Sequence, residues 1–157
     1  MSDGQTDGDE LVFMMGKFAA KFPTDRLYAK NHMWAKREGS AVWFGFSAYA
    51  VRLLQDVYFL EWSVDAPTRL REKQAIGNIE SSKAESELYA PASGTLTEFN
   101  LALMKDPTPI NVDAYGLGRL FAMECDDAGL LTPEQYQEHL AAAWKIAEKT
   151  IKGQMNE

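Results

Sequence analysis

Cysteine and histidine are nearly missing: the 157 residues include one cysteine, Cys125, and two histidines, His32 and His139. A lone cysteine excludes an internal disulfide and a self-contained dithiol pair, so any dithiol chemistry must come from an attached group. With no Cys/His cluster, a zinc or iron centre is not expected. Within Leu120–Cys125 the cysteine reads as a strand residue carrying an inert, partly buried thiol. Positive charge is also in deficit. Lys and Arg number 16 against 23 Asp and Glu, a net charge of −7, so no nucleic-acid partner is expected. No apolar run is long enough to span a bilayer and no charged-then-apolar leader opens the chain. No membrane partner is therefore expected, and the expected location is cytoplasmic. Ser/His/Asp, Cys/His and phosphate-cradling glycine constellations are absent too, which argues against an enzyme.

What is present suits one small core, since 46% of the residues are hydrophobic and a chain of this size rarely divides. Residues 1–10 are polar, acidic and glycine-bearing, predicting a disordered lead-in before a single domain over 11–157. Leu11 to Phe22 suits either a short helix or an added edge strand. Arg26 to Ala35 and Ala41 to Phe46 read as aromatic-rich strands separated by the turn Glu38-Gly39-Ser40. Ser47 is an N-cap for a short helix through Leu54. Val57 to Trp62, Gly94 to Phe99 and Leu120 to Cys125 are further strands. A helical turn is expected at Leu101 to Met104, and a loop at Asp106-Pro107-Thr108-Pro109. Thr132-Pro133-Glu134-Gln135 holds an N-cap, a first-turn proline and a capping-box glutamine. Tyr136, Leu140, Trp144, Ala147 and Ile151 then recur at helical spacing as far as Gly153, predicting a helix over about 133–152 that packs one stripe on the β core. Strands over about 26–125 followed by a terminal helix predict a mainly β, barrel-like sandwich.

One run stands apart. Ala75 to Glu80 is strand-prone, Ser81 to Ser86 is polar, and Glu87 to Tyr89 leads to Pro91 and Gly94. That is a hairpin with Lys83 at or beside its exposed tip. Most lysines in such a run are solvated charges, and Glu-Ser-x-Lys-Ala alone is a weak motif. With Tyr89-x-Pro91-x-Ser93-Gly94 at this distance, the pattern closely resembles the lipoyl-attachment hairpin of the glycine-cleavage H protein family. The likeness runs from about Tyr28 to Asp126. It includes His32-x-Trp34, Gly45 to Ala50, Leu53 to Asp56, Asn100 to Leu103, Pro107, Ile110-Asn111, Tyr115 and Gly118.

This resemblance implies a barrel-sandwich hybrid of the lipoyl-domain kind, with a short internal helix and a C-terminal one. It implies covalent lipoate in amide linkage to Lys83 and no catalysis by the carrier itself. Glu80, Ser82 and Ala84 would be read by the lipoate-attaching enzyme; the bland alternative is a solvated acidic face. His32 is most often a hydrogen-bonded structural residue in such a setting, and the resemblance offers it a second role as a wall of the groove that shields the arm. Arg119 is either a surface ion-pair partner or a charge offered to an anionic cargo.

The chain also departs from the family. Met33 replaces a Glu, Gln55 and Lys73 replace glycines, and Arg119 replaces a Trp. The Pro23 to Tyr28 lead-in, followed by His32-Met33-Trp34, resembles the lipoate-binding paralogues of bacterial sulfur oxidation. The expected partner is then a heterodisulfide-reductase-like complex. The alternative is the aminomethyl carrier of glycine cleavage, served by the decarboxylase, the aminomethyltransferase and dihydrolipoamide dehydrogenase. Ser82 and Ala84, in place of flanking methionines, argue against a biotin carrier. Retention of Glu80, Lys83, Ala84 and the Tyr89-x-Pro91 run argues against an unmodified interaction module.

Overall fold

The structure, a computed structural model, describes residues 9–155, with side chains described through 149. Most of the expected lead-in, residues 1–8, lies outside the described residues. Glu10 already belongs to a strand. Strands β1 (Glu10–Met15) and β2 (Phe18–Pro23) form an antiparallel hairpin, turning through Gly16 at φ 63°, where a side chain would be strained. This settles the segment that suited either helix or strand. β3 (Leu27–Tyr28) and β4 (Met33–Glu38) follow. The strand expected over Arg26 to Ala35 is thus two strands, and His32 lies in the turn between them at φ 71°. An antiparallel return needs such a residue, and extended backbone cannot supply it.

β5 (Ala41–Phe46) leads into α1 (Ala48–Leu54), whose N-cap is Ser47 as expected. Then come β6 (Val57–Trp62), β7 (Thr68–Leu70), β8 (Ala75–Ser81), β9 (Glu85–Tyr89) and β10 (Gly94–Phe99). Short helices α2 (Ala102–Lys105) and α3 (Thr108–Val112) precede β11 (Phe121–Cys125) and α4 (Pro133–Met155). The loop expected through Pro109 gives way to α3, because proline is tolerated where a helix's first N–H groups have no partner anyway. α4 opens on the predicted capping box: the Gln135 amide N–H donates to Thr132 Oγ1 and the Thr132 N–H to Gln135 Oε1. Gly153 does not end it, since one glycine costs a helix only about 1 kcal/mol.

The strands form a six-stranded sheet in the order β3-β4-β5-β11-β10-β7, a three-stranded sheet β6-β8-β9, and the β1–β2 hairpin. This is the mainly β barrel-sandwich hybrid anticipated from the sequence. Apolar residues form two clusters rather than one. Met33, Val42, Phe44, Leu96, Phe121 and Met123 face the three-stranded sheet and meet Leu60, Ile76, Ile79 and Leu88. Their alternates, Trp34, Trp43 and Ala122, face the other way, and there Phe22, Tyr49, Tyr136 and Leu140 bury them. A strand covered on both faces loses its polar alternation, which is why Val42–Phe46 is apolar throughout. The second cluster exists because β1–β2 and α4 lie over that face. Tyr28 stacks on Tyr136 at 4.5 Å, and Phe22 meets both edge-on. Among the described residues, no helix is long and apolar enough to cross a membrane.

Candidate functional site

β8 and β9 pair antiparallel up to Glu80 opposite Glu85, leaving Ser81–Ala84 to make the turn. Ser81 organises that turn. Its N–H donates to the Ala84 carbonyl at 2.9 Å, and its Oγ accepts from the Lys83 and Ala84 amides at 3.4 and 3.2 Å. A serine bonding to backbone just ahead of it is a recurrent turn device. Ser81 is only 6% exposed, so its hydroxyl serves the backbone rather than solvent. Ser82 then anchors the tip to the rest of the molecule, since both its N–H and its Oγ donate to the Gln55 carbonyl at 3.1 Å. Lys83 stands between these anchors with its side chain exposed.

Of the six residues offered a functional role from sequence, four gather here. Lys83, Ser82 and Ala84 are exposed and form the tip, and Glu80 is half-buried one rung below. Glu80 sits directly across from Glu85, and like charges in that relation weaken a sheet by a few tenths of a kcal/mol to about 1 kcal/mol. No cation offsets them by an ion pair among the described residues. Two residues escaped the sequence reading. Ser81 resembled one more polar residue of the crossing. Gln55 was noted only as a departure from glycine, although its carbonyl is what the tip rests on.

Gln55 ends α1 at φ 53° and ψ 129°, its N–H reaching the Val51 carbonyl. Asp56 follows at φ 48°, and Lys73 sits at φ 73°. The two family glycines missing here are therefore at positions where the backbone turns left-handed, and a side chain at such a site costs about 1–3 kcal/mol. Gln55→Gly is expected to raise stability by about 1 kcal/mol after allowing for the freer unfolded chain. Thermal unfolding checks this: the melting temperature should rise by about 2–4 °C.

A groove of about 180 Å³ runs beside the hairpin between α1 and β9. Met33, Leu53, Leu54, Ile79 and Leu88 give it apolar walls, with Asn31, His32 and Glu87 among its polar ones. His32 is therefore a groove wall and a structural residue at once. Its Nδ1 lies 3.0 Å from Tyr136 Oη, which is 2.7 Å from Ser47 Oγ, the α1 N-cap. Burial, with a smaller contribution from His139, lowers its pKa from 6.5 to about 4, so it is neutral at pH 7.

Arg119 lies over the Trp43 ring at 3.8 Å and 3.7 Å from Glu38. Its partners are on β4 and β5, not on the hairpin. Cys125 is half-buried, and burial raises its thiol. No group of metal-ligating side chains occurs among the described residues.

An exposed hairpin lysine, braced at the turn and flanked by an apolar groove, is an arrangement able to display a covalently attached group. The tip leaves the amine free for acylation, and the apolar walls suit a hydrocarbon chain, so the residues fit lipoate. The family model described as Glycine cleavage H-protein matches residues 26–150. A glycine cleavage system H protein of Thermus thermophilus is 42% identical over 123 residues, covering 75% of this chain and 94% of the relative. That of Rubrobacter xylanophilus is 38% identical over 122 residues, covering 77% and 96%. The crystal structure of a glycine cleavage system H protein from Mycobacterium marinum aligns with a TM-score of 0.67 at 32% identity, over 76% of this chain and 99% of that one. The chain belongs to the glycine cleavage H-protein family. Members are non-catalytic carriers with lipoate covalently attached to a lysine.

Proposed function

We propose that this protein is the lipoyl carrier of a cytoplasmic glycine cleavage system, with Lys83 as its attachment lysine. The observation that carries the reading is the tip itself: Lys83 is exposed while Ser81 and Ser82 hold its neighbours in place. Glu80, Ser82 and Ala84 would be the features a lipoate-attaching enzyme meets first. Glu80 is the one among them with no structural reason to oppose another carboxylate.

The relatives named above favour glycine cleavage over the sulfur-oxidation carrier toward which the sequence departures leaned. No observation supports the heterodisulfide-reductase-like partner. Two of the departures also have structural accounts. Met33 packs in the core at 2% exposure and Arg119 stacks on Trp43, whereas Gln55 and Lys73 sit at positive φ, where nothing in the structure explains the loss of glycine. The partners would then be the decarboxylase, the aminomethyltransferase and dihydrolipoamide dehydrogenase.

A bound lipoyl group supplies a dithiolane whose opening gives one thiol to hold the aminomethyl unit and one to close the ring again. The chain supplies position. Lys83 fixes the anchor, the Ser82–Gln55 contact keeps the tip against α1, and neutral His32 adds no charge to an apolar groove. Tethering presents the cargo to each partner at an effective concentration on the order of mM.

The test is bicarbonate–glycine exchange with purified glycine decarboxylase. Lipoylated protein is expected to support exchange and unlipoylated protein to support none. A lipoylated sample that supports none would defeat the pathway assignment.

A further inference from the structure

Two aromatic side chains stand in solvent beside the carrier tip, and an irregularity in β6 puts them there. In an unbroken strand alternate residues share a face, so Phe59 would point inward with Val57. The β6–β8 register shifts between Val57 and Phe59, inserting Tyr58 as an extra residue. Val57 and Leu60 are consequently buried at 3% and 4% exposure, while Tyr58 and Phe59 are 60% and 41% exposed. Beyond the bulge, Glu61 is exposed as well.

The bulge is not an edge left for another strand. Asn111 Oδ1 accepts from the Val57 N–H at 2.8 Å, and its Nδ2 donates to the Val57 carbonyl at 2.9 Å. A side chain thus takes the Val57 backbone groups that strand addition at the bulge would use.

Register places the rings next to the reactive lysine. Phe59 lies opposite Glu80 and Val57 opposite Ser81, across a strand spacing of about 4.8 Å. A protein seated on Tyr58 and Phe59 therefore covers Glu80 and reaches the tip. Acidic residues adjoin the rings: Asp56 and Glu61 along the chain, Glu80 across the register from Phe59, and Glu85 across from Glu80. Of the cations on neighbouring elements, Arg52 on α1 is stacked on Phe18 at 4.5 Å, and Lys105 ends α2, which packs on β6. Exposed aromatics within a charged rim are the usual anchor of a protein interface. The groove lies on the other flank of the hairpin, along β9. Enzymes that use the arm can find it there. The enzyme that installs the arm meets a bare lysine and has only the polypeptide to grip.

We propose that Tyr58 and Phe59, with Glu61 and Glu80 beside them, are the docking surface for the lipoate-attaching enzyme, whose matching face is an apolar socket rimmed by Lys and Arg. The proposal rests on the assignment of Lys83. In the covalent step the Lys83 amine gives up protons and forms an amide with the lipoate carboxyl group. The displaced oxygen leaves on AMP as ATP is split to AMP and pyrophosphate.

The experiment uses full-length protein, purified lipoate–protein ligase, lipoate and ATP, following the lipoyl mass increment with time. Tyr58→Thr/Phe59→Thr keeps residues that favour strands. It is expected to lower kcat/KM by about ten- to a hundredfold through KM, leaving kcat within about twofold. Glu61→Lys should raise KM several-fold, and rising salt should raise the wild-type KM. Met14→Ser, on the remote N-terminal hairpin, should change nothing. Wild-type kcat/KM in the double variant overturns the proposal. So does normal lipoylation of that variant with slowed decarboxylase exchange, which would hand the surface to another partner. If the double variant does not melt cooperatively, Glu61→Lys decides, and an unchanged KM there overturns the proposal. Absence of lipoylation in the wild type defeats the Lys83 assignment instead, so the two failures are distinguishable.

Discussion

Lys83→Arg is expected to eliminate the lipoyl mass increment completely while moving the melting temperature by no more than about 1–2 °C. Arginine preserves the charge, but its guanidinium stays protonated and delocalised and is not acylated as an amine is. The stability expectation follows from the turn. The backbone N–H of residue 83 donates to Ser81 Oγ and the flanking Ser82 holds Gln55; neither contact uses the Lys83 side chain. Substitution of an exposed residue without such contacts usually stays within about 0.5 kcal/mol, which for a domain of this size is the stated shift. Intact mass of wild type and variant, produced in a lipoylating host, reads the first quantity and calorimetry the second. A lipoyl increment surviving on the variant would mean that another lysine carries the group.

Acidification from pH 7 to 4.5 is expected to destabilise the fold by about 2–3 kcal/mol through His32 alone. Burial is the main reason that its pKa falls from 6.5 to about 4, and His139 adds to it. Between those values the unfolded chain binds a proton that the folded chain does not. The contribution is therefore whole above about pH 6.5, falls as pH drops toward 4, and changes little below that. Tyr136, Tyr49 and His139 surround the ring, and none of them offers a carboxylate to stabilise an imidazolium. Asp25 acts in a lower window. Partial burial raises its pKa, but Arg26 and Lys36 outweigh that and bring it to about 2. Its contribution, reduced by solvent exposure, is lost only below about pH 4. His32→Asn tolerates the positive φ and cannot titrate. Urea unfolding at pH 7 and 4.5 should show the wild-type loss and a flatter variant. An equal loss in both would remove His32 as its source.

The β8–β9 hairpin with Lys83 at its tip was legible because its information is local. The bonds that shape the tip join residues within three positions of one another, apart from the Gln55 anchor. The α4 start was legible for the same reason, its Thr132–Gln135 box being complete within four residues. Leu11 to Phe22 was ambiguous because so short an apolar run suits either period. Its strand state follows from packing against α1 and α4. The β6 bulge left no trace in Val57–Trp62, a run whose composition favours a strand whichever way each ring points.

Family membership, the exposed lysine at a hairpin tip and the capped terminal helix were determined by the sequence itself, since each rests on short-range pattern. Tertiary structure decided the second aromatic cluster, the groove, the inward turn of Ser81 and the neutral state of His32. His32 meets Tyr136 across 104 positions, and Ser82 meets Gln55 across 27. Contacts of that span depend on which surfaces the sheets bring together, and burial, which sets the ionisation of His32, exists only once they have closed.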